Sequence, residues 1–181
     1  MIDVQEQRST ASAPASQTPV KVRKIGHVVY RVSDVERSVK FWTEILGFKE
    51  SDRNEHGMVF LRNASDHHTV ALVGTEPGAK LHDPNDRKEL GMHHFAMEVG
   101  SVDELFKIRD FLKSKGVTIT YEGRRGPGSN PGVEFLDPDG YQLELYADME
   151  QIGWEGKSRP SRLWSRASSL EEVVANPVRT E

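Results

Sequence analysis

The sequence predicts an α+β fold in which two copies of one β-α-β-β-β module pair to form a curved mixed sheet. Three observations carry this expectation. The stretches Lys24–Val32 and Gly91–Val99 both alternate between two faces, and each sets a histidine, His27 or His94, in the less apolar phase. Each stretch is followed by a capping-box pattern, Ser33-Asp34-Val35-Glu36 or Ser101-Val102-Asp103-Glu104, and then by an amphipathic run. The two histidines lie 67 residues apart and the helix-ending glycines Gly47 and Gly116 lie 69 apart, the mark of a duplicated unit.

In chain order, residues 1–22 are rich in Ser, Ala, Gln, Thr and Pro without apolar period and read as a disordered arm. A two-module domain is expected over residues 23–148, with modules 23–74 and 91–148 and a polar, proline-containing linker 75–90. In the first module Val35, Val39, Trp42 and Leu46 give a helix, and strands are expected over Phe48–Asp52, Met58–Arg62 and Thr69–Val73. In the second, Leu105, Phe106, Ile108 and Leu112 mark the helix. Its strands are expected over Val117–Tyr121, Val133–Leu136 and Tyr141–Ala147, with a Gly/Pro-rich loop at 123–131 and an Asp137-Pro138-Asp139-Gly140 turn. The tail, residues 149–181, carries one short helix, Ser169–Ala175, and its Trp154 and Trp164 point to packing against something.

The totals narrow the function. A chain of 181 residues with net charge −4 and no basic stripe argues against nucleic acid as a partner. No apolar run approaches the roughly 20 residues that span a bilayer, and the N-terminus lacks the apolar core of a signal peptide. Without cysteine there are no disulfides, thiolate ligands or cysteine nucleophile, which fits a reducing, cytoplasmic setting. Any metal here must take nitrogen and oxygen ligands.

Alternation in the last strand sets Glu144, with Gln142 and Tyr146, opposite the apolar Tyr141, Leu143 and Leu145. Two imidazoles, His27 and His94, and one carboxylate thus share one kind of face, around which the curved sheet is expected to close. Such a set leaves positions open on a divalent metal; it suits Fe(II), and Mn(II), Zn(II), Ni(II) or Co(II) would also fit. Laying Thr69–Leu72 on Gln142–Leu145 puts Ala71 opposite Glu144, so the first module supplies no carboxylate. His93 adjoins the ligand on the core face and reads as a packing or substrate-contacting residue. Arg124 and Arg125, in the loop Gly123–Gly132, could meet an anionic substrate or solvent.

Residues 24–148 resemble the vicinal oxygen chelate superfamily. The likeness rests on the strands His27–Val32 and His94–Val99, the phrases DHHTVAL at Asp66–Leu72 and HHFAMEV at His93–Val99, and the ending FLDPDGYQLELY at Phe135–Tyr146. Within that superfamily the chain most resembles the type I extradiol catechol dioxygenases. The resemblance implies His27, His94 and Glu144 as ligands to Fe(II), catechol oxygens and O2 at the open positions, and His68 as an acid/base group. Two departures stand out: Glu134 occupies the place of the family's tyrosine, and Arg125 that of a frequent loop histidine. Glu134 would be a substituted catalytic group, or a surface ion pair with Arg124 or Arg125.

The expected function is a ring-cleaving dioxygenase of catecholic aromatics, with a small-molecule substrate and O2 as its partners. The alternatives are a glyoxalase-like isomerase or lyase with Glu134 as general base, and a non-catalytic, resistance-type binding protein. Modules paired within one chain and modules exchanged between the chains of a homodimer fit the sequence equally.

Overall fold

The structure is a computed structural model that describes residues 22–178, apart from 82, 84, 86, 87, 89 and 155. The arm expected over residues 1–22 lies outside the described residues as far as residue 21, and so do parts of the expected linker.

The first module runs β1 (Val28–Val32), α1 (Val35–Lys40) continued by a π-helical turn (Phe41–Ile45), β2 (Lys49–Arg53), β3 (Val59–Arg62) and β4 (Val70–Gly74). The second runs β5 (Phe95–Glu98), α2 (Val102–Ser114), β6 (Ile119–Arg124), β7 (Pro131–Leu136) and β8 (Gln142–Tyr146). The strand orders are the same, β1-β4-β3-β2 and β5-β8-β7-β6. In each, the first strand lies parallel to the fourth, a pairing that needs a long crossover such as the module's helix and hairpin supply. The registers also repeat. Ala71 stands between Val29 and Phe60, and Glu144 stands between Ala96 and Glu134. The duplication therefore holds residue by residue, in two four-stranded ladders each bonded within its own module.

Helix α2 starts at its expected cap: Ser101 Oγ accepts the Glu104 N–H at 3.2 Å, and Glu104 reaches back one residue beyond the cap, to the Gly100 N–H at 2.8 Å. Helix α1 does not. Asp34, not Ser33, caps it by accepting the Arg37 N–H at 3.0 Å, because Ser33 is drawn to the other module. There its N–H (3.0 Å) and its hydroxyl both donate to Asp139. Gly47 and Gly116 follow the two helices with φ of 73° and 71°, the left-handed backbone that glycine accepts without strain.

The apolar faces of both modules merge in one core that includes Trp42, Leu61, Leu72, Leu105, Phe135 and Leu143. Tyr30 sits at the seam, its ring centroid 4.9 Å from that of Tyr141 and 6.3 Å from that of Phe95. Tyr141 donates its hydroxyl to the Arg31 carbonyl at 2.8 Å, and Arg37 pairs with Asp139. The Asp-Pro-Asp-Gly turn thus closes the β7–β8 hairpin and ties the modules together. Asp137, in the same turn, is buried; its Oδ1 accepts the N–H groups of Asp139 (2.9 Å) and Tyr141 (2.8 Å). Its Oδ2 and the Tyr30 hydroxyl are buried without partners, and burial pushes the Asp137 carboxyl up to about 6.

Strand β6 extends past Tyr121 because its ladder with β7 continues to Arg124, where the tail bridges its other edge. Arg124 and Ala167 exchange backbone hydrogen bonds of 2.8 and 3.0 Å, and the Tyr121 hydroxyl donates to the Ala167 carbonyl at 3.0 Å. The Arg124 side chain is buried and donates to Ser165 Oγ (2.7 Å) and to the carbonyls of Asn176 (3.0 Å) and Val173 (3.3 Å). It thereby satisfies the C-terminal end of α3 (Leu170–Ala175), where a cation complements the helix dipole. Arg124, weighed from the sequence as a substrate contact, is spent on docking the tail. Trp164 packs over Gly126, where a Cβ would come within 2.9 Å of its ring, while Trp154 is exposed. No helix among the described residues is long and apolar enough to cross a membrane.

Candidate metal centre

His94 immediately precedes β5, and Glu144 lies in β8 opposite Ala96. The His94 Nε2 is 3.2 Å from Glu144 Oε2. Two donors bound side by side to one ion at about 2.0–2.2 Å stand about 3 Å apart, so this pair is already spaced to share a cation. Gly132 makes the spacing possible: a Cβ there would lie 2.6 Å from Glu144 Oε1. The sequence sets Gly132 at the end of the Gly123–Gly132 loop; the structure places it inside β7, where a glycine marks a close approach. Burial raises the Glu144 carboxyl, and the neighbouring His94 pulls it partly back. A cation in this place would repay the desolvation that the bare carboxylate bears.

Glu134 is directly opposite Glu144 and also opposite Tyr121. It is buried, and both its oxygens are taken: Arg125 Nε donates to one at 2.6 Å and Gln142 Nε2 to the other. As it stands, neither oxygen is free to accept a proton from a substrate. The Arg125 guanidinium lies 3.9 Å over the Tyr121 ring, a cation–π contact that with Glu134 fixes its direction. Its side chain remains 59% exposed.

In the first module His27 precedes β1 and His68 precedes β4, their ring centroids 4.7 Å apart. Because β4 begins only at Val70, His68 escapes the strand alternation that would have turned it from Ala71's face. Phe60 packs edge-on at 5.0 Å, and His67 brings its Nδ1 to 3.1 Å from that of His68. Desolvation, followed by the His27 and His67 rings, lowers the His68 pKa and favours its neutral form. Ala71 is fully covered, so this half has no carboxylate to match Glu144.

Among the described residues, no three His, Asp or Glu side chains gather closely enough to hold a metal ion. His27 with His68, and His94 with Glu144, are two half-sites within one chain. His93 departs from the core face expected for it. The strand begins at Phe95, two residues later than alternation would need, so His93 is exposed and turns its Nδ1 to 2.8 Å from that of His94.

Residues 24–145 match the Glyoxalase/Bleomycin resistance protein/Dioxygenase superfamily. The chain belongs to that superfamily. A probable chloroplastic lactoylglutathione lyase of Arabidopsis thaliana is 32% identical over 68% of this chain and 35% of its own length. A manganese-dependent 2,3-dihydroxybiphenyl 1,2-dioxygenase of Geobacillus genomosp. 3 is 28% identical over 72% of this chain and 38% of its own. The chain therefore spans well under half of either relative. A glyoxylase/bleomycin resistance protein/dioxygenase domain from Frankia sp. superposes with a TM-score of 0.57 at 23% identity, covering 70% of this chain and 98% of that one. Superfamily membership accounts for the module and its register. The relatives' names divide between lyase and dioxygenase, so the half-sites have to choose between them.

Proposed function

We propose that this chain is one subunit of a metal-dependent, extradiol-type ring-cleaving dioxygenase for catecholic aromatics, with each metal shared between two copies of the chain. The observation that carries the reading is the division of donors. The first module offers His27 with His68 beside it, and Ala71 where the second offers Glu144. Combining the halves gives two imidazoles and one carboxylate, which leaves positions open for two oxygen donors of a diol and for O2.

One chain keeps the halves apart, and two copies about a two-fold axis would join His27 of each to His94 and Glu144 of the other. The surroundings support this: Ile25 and Val29, flanking His27, are 84% and 50% exposed, and Met92, near His94, is 47% exposed. Apolar side chains left open at both half-sites favour a covering partner.

A divalent cation there, Fe(II) or, as in the Geobacillus relative, manganese, supplies Lewis acidity and redox capacity for joining diol and O2. His68, half-buried between His27, His67 and Phe60, holds the proton of a substrate hydroxyl and returns it. Glu134 acts by fixing Arg125 rather than as a base, and Arg125 meets the substrate's outer edge. The lyase likeness of the Arabidopsis relative favours a second reading, in which Glu134 leaves Arg125 and abstracts a proton next to a carbonyl.

The test loads the protein anaerobically with Fe(II) or Mn(II) and follows O2 uptake over a panel of catechols. Uptake with a yellow ring-opened product is expected. Metal-loaded protein that consumes no O2 but isomerises thiohemiacetals would replace the reading with the second one. The shared site has its own check. His27→Ala and His94→Ala variants are each inactive alone, and mixing them restores about a quarter of wild-type activity, because half of the dimers are mixed and each has one intact site. No recovery on mixing would place the whole site within one chain.

A further inference from the structure

Apart from both half-sites, a cavity of about 690 Å³ opens at the seam between the modules. We propose that it binds a small organic anion, a carboxylate or phosphate carried on an apolar, ring-sized body. Its volume lies in the range that encloses small ligands. Arg31 and Lys80 both line it, and neither has an ion-pair partner among the described residues. Of the two carboxylates among its described lining residues, Asp139 is already neutralised by Arg37 and accepts from Ser33, which leaves Glu76 against two cations there. The cavity therefore presents excess positive charge, and Arg31 offers the planar fork that grips carboxylate or phosphate.

The rest of the lining supplies the apolar seat. Leu81 and Met92 are partly exposed into it, and Tyr141 turns its hydroxyl away to the Arg31 carbonyl and gives its ring to the wall. A bare phosphate would leave that seat empty, and a neutral ring would leave both cations unpaired. Two wall residues also reach the second half-site: Gln142 donates to Glu134, and His93 stands 2.8 Å from His94. A molecule in the cavity thus touches His93, one contact from His94, and Gln142, which holds Glu134 beside Glu144, as either the far end of a substrate or a separate effector. The inference does not depend on which metal reaction the protein performs.

The experiment titrates the full chain, metal-free, with phenyl phosphate and phenylacetate, using benzyl alcohol and benzylamine as neutral and cationic controls, and follows backbone amide shifts by NMR. Both anions are expected to bind at least about tenfold more tightly than either control. The shifts should cluster at Arg31, Thr75 and Gly140. Arg31→Gln and Lys80→Gln should each weaken binding by roughly fivefold or more, while Glu76→Gln tightens it roughly two- to threefold by removing a like charge. His94→Ala should leave anion binding intact, which separates this site from the metal centre. Equal binding of benzyl alcohol, shifts confined to the surroundings of Glu144, or weaker binding in Glu76→Gln would overturn the proposal. Phenyl phosphate that raises only KM in the active enzyme identifies the substrate's far end, and a change in kcat identifies an effector.

Discussion

The two modules share one strand register and spend it differently. Where the second module has Glu144 flanked by Glu134 and cradled by Gly132, the first has Ala71 flanked by Phe60, with Met58 in the place of Gly132. Their last hairpins differ as well. The second closes β7 onto β8 with a tight turn whose Asp139 carboxylate binds the other module, and the first leaves a longer connection that carries His67 and His68. The second copy carries the carboxylate and the turn that joins the modules. The first has Ala71 in its place and His67 and His68 in its connection. On the proposed shared site, the asymmetry would offer a metal three ligand positions, not four.

That comparison is most exposed to breakage at Ala71. If the first module lacks only a carboxylate, Ala71→Glu should add one; if it also lacks the cradle, the new side chain has nowhere to go. We expect the second outcome, a loss of about 2–4 kcal/mol by urea denaturation, because a carboxylate would be buried against Phe60 without a partner. Combining it with Met58→Gly should recover part of that loss. A fully stable Ala71→Glu protein would show the cradle to be irrelevant.

The converse change tests Gly132. Gly132→Ala puts a methyl 2.6 Å from Glu144 Oε1, closer than real contacts allow, so the carboxylate must swing away from His94. Metal affinity should fall about 10–100-fold with little change in unfolding midpoint of the metal-free protein, as for other residues that orient ligands. Isothermal titration with Mn(II) or Zn(II) reads it. Unchanged affinity would remove Gly132 from the site.

The same asymmetry explains how much could be read from sequence. Module order, the helix-ending glycines and the shared face of His94 and Glu144 follow from alternation and capping signals, which are local. What could not be read depends on distant partners. Ser33 abandons its helix for Asp139, more than a hundred residues on, and β6 runs on to Arg124, where Ala167 of the tail pairs with it. His93 looked inward only on the premise that β5 starts early. Alternation fixes the face a residue shares with its neighbours in one sheet and says nothing of the distance between sheets. The distance from His27 to His94 was therefore out of reach.

Asp137 makes the joint sensitive to pH. Its folded pKa, about 6, is raised by burial above the ordinary carboxylate value, so its neutral form is the one the fold favours. The sign follows: stability is greatest below the unfolded pKa of about 4 and falls as pH rises through about 6, by on the order of 2 kcal/mol. Asp137→Asn keeps an oxygen for the N–H groups of Asp139 and Tyr141 and cannot ionise. Its urea midpoint should exceed that of the wild type at pH 8 and match it near pH 4. Parallel pH profiles for the two proteins would mean that the orphaned Oδ2 is hydrated rather than buried.

The smallest effect belongs to Asp139, two residues further on. It accepts from the Ser33 N–H and hydroxyl and pairs with Arg37, whose side chain is 47% exposed and so is screened by solvent. Asp139→Asn should cost only about 1 kcal/mol, most of it in the Ser33 contacts. Its more telling effect concerns α1. With Asp139 weakened as an acceptor, Ser33 is free to return to the capping role that its sequence signals, competing with Asp34 for the first turn of the helix. Amide exchange at Glu36 and Arg37 would register that change even where the global midpoint barely moves. If exchange there is unaltered, the cap is set by Asp34 alone, and the joint between the modules has no hold on the first helix.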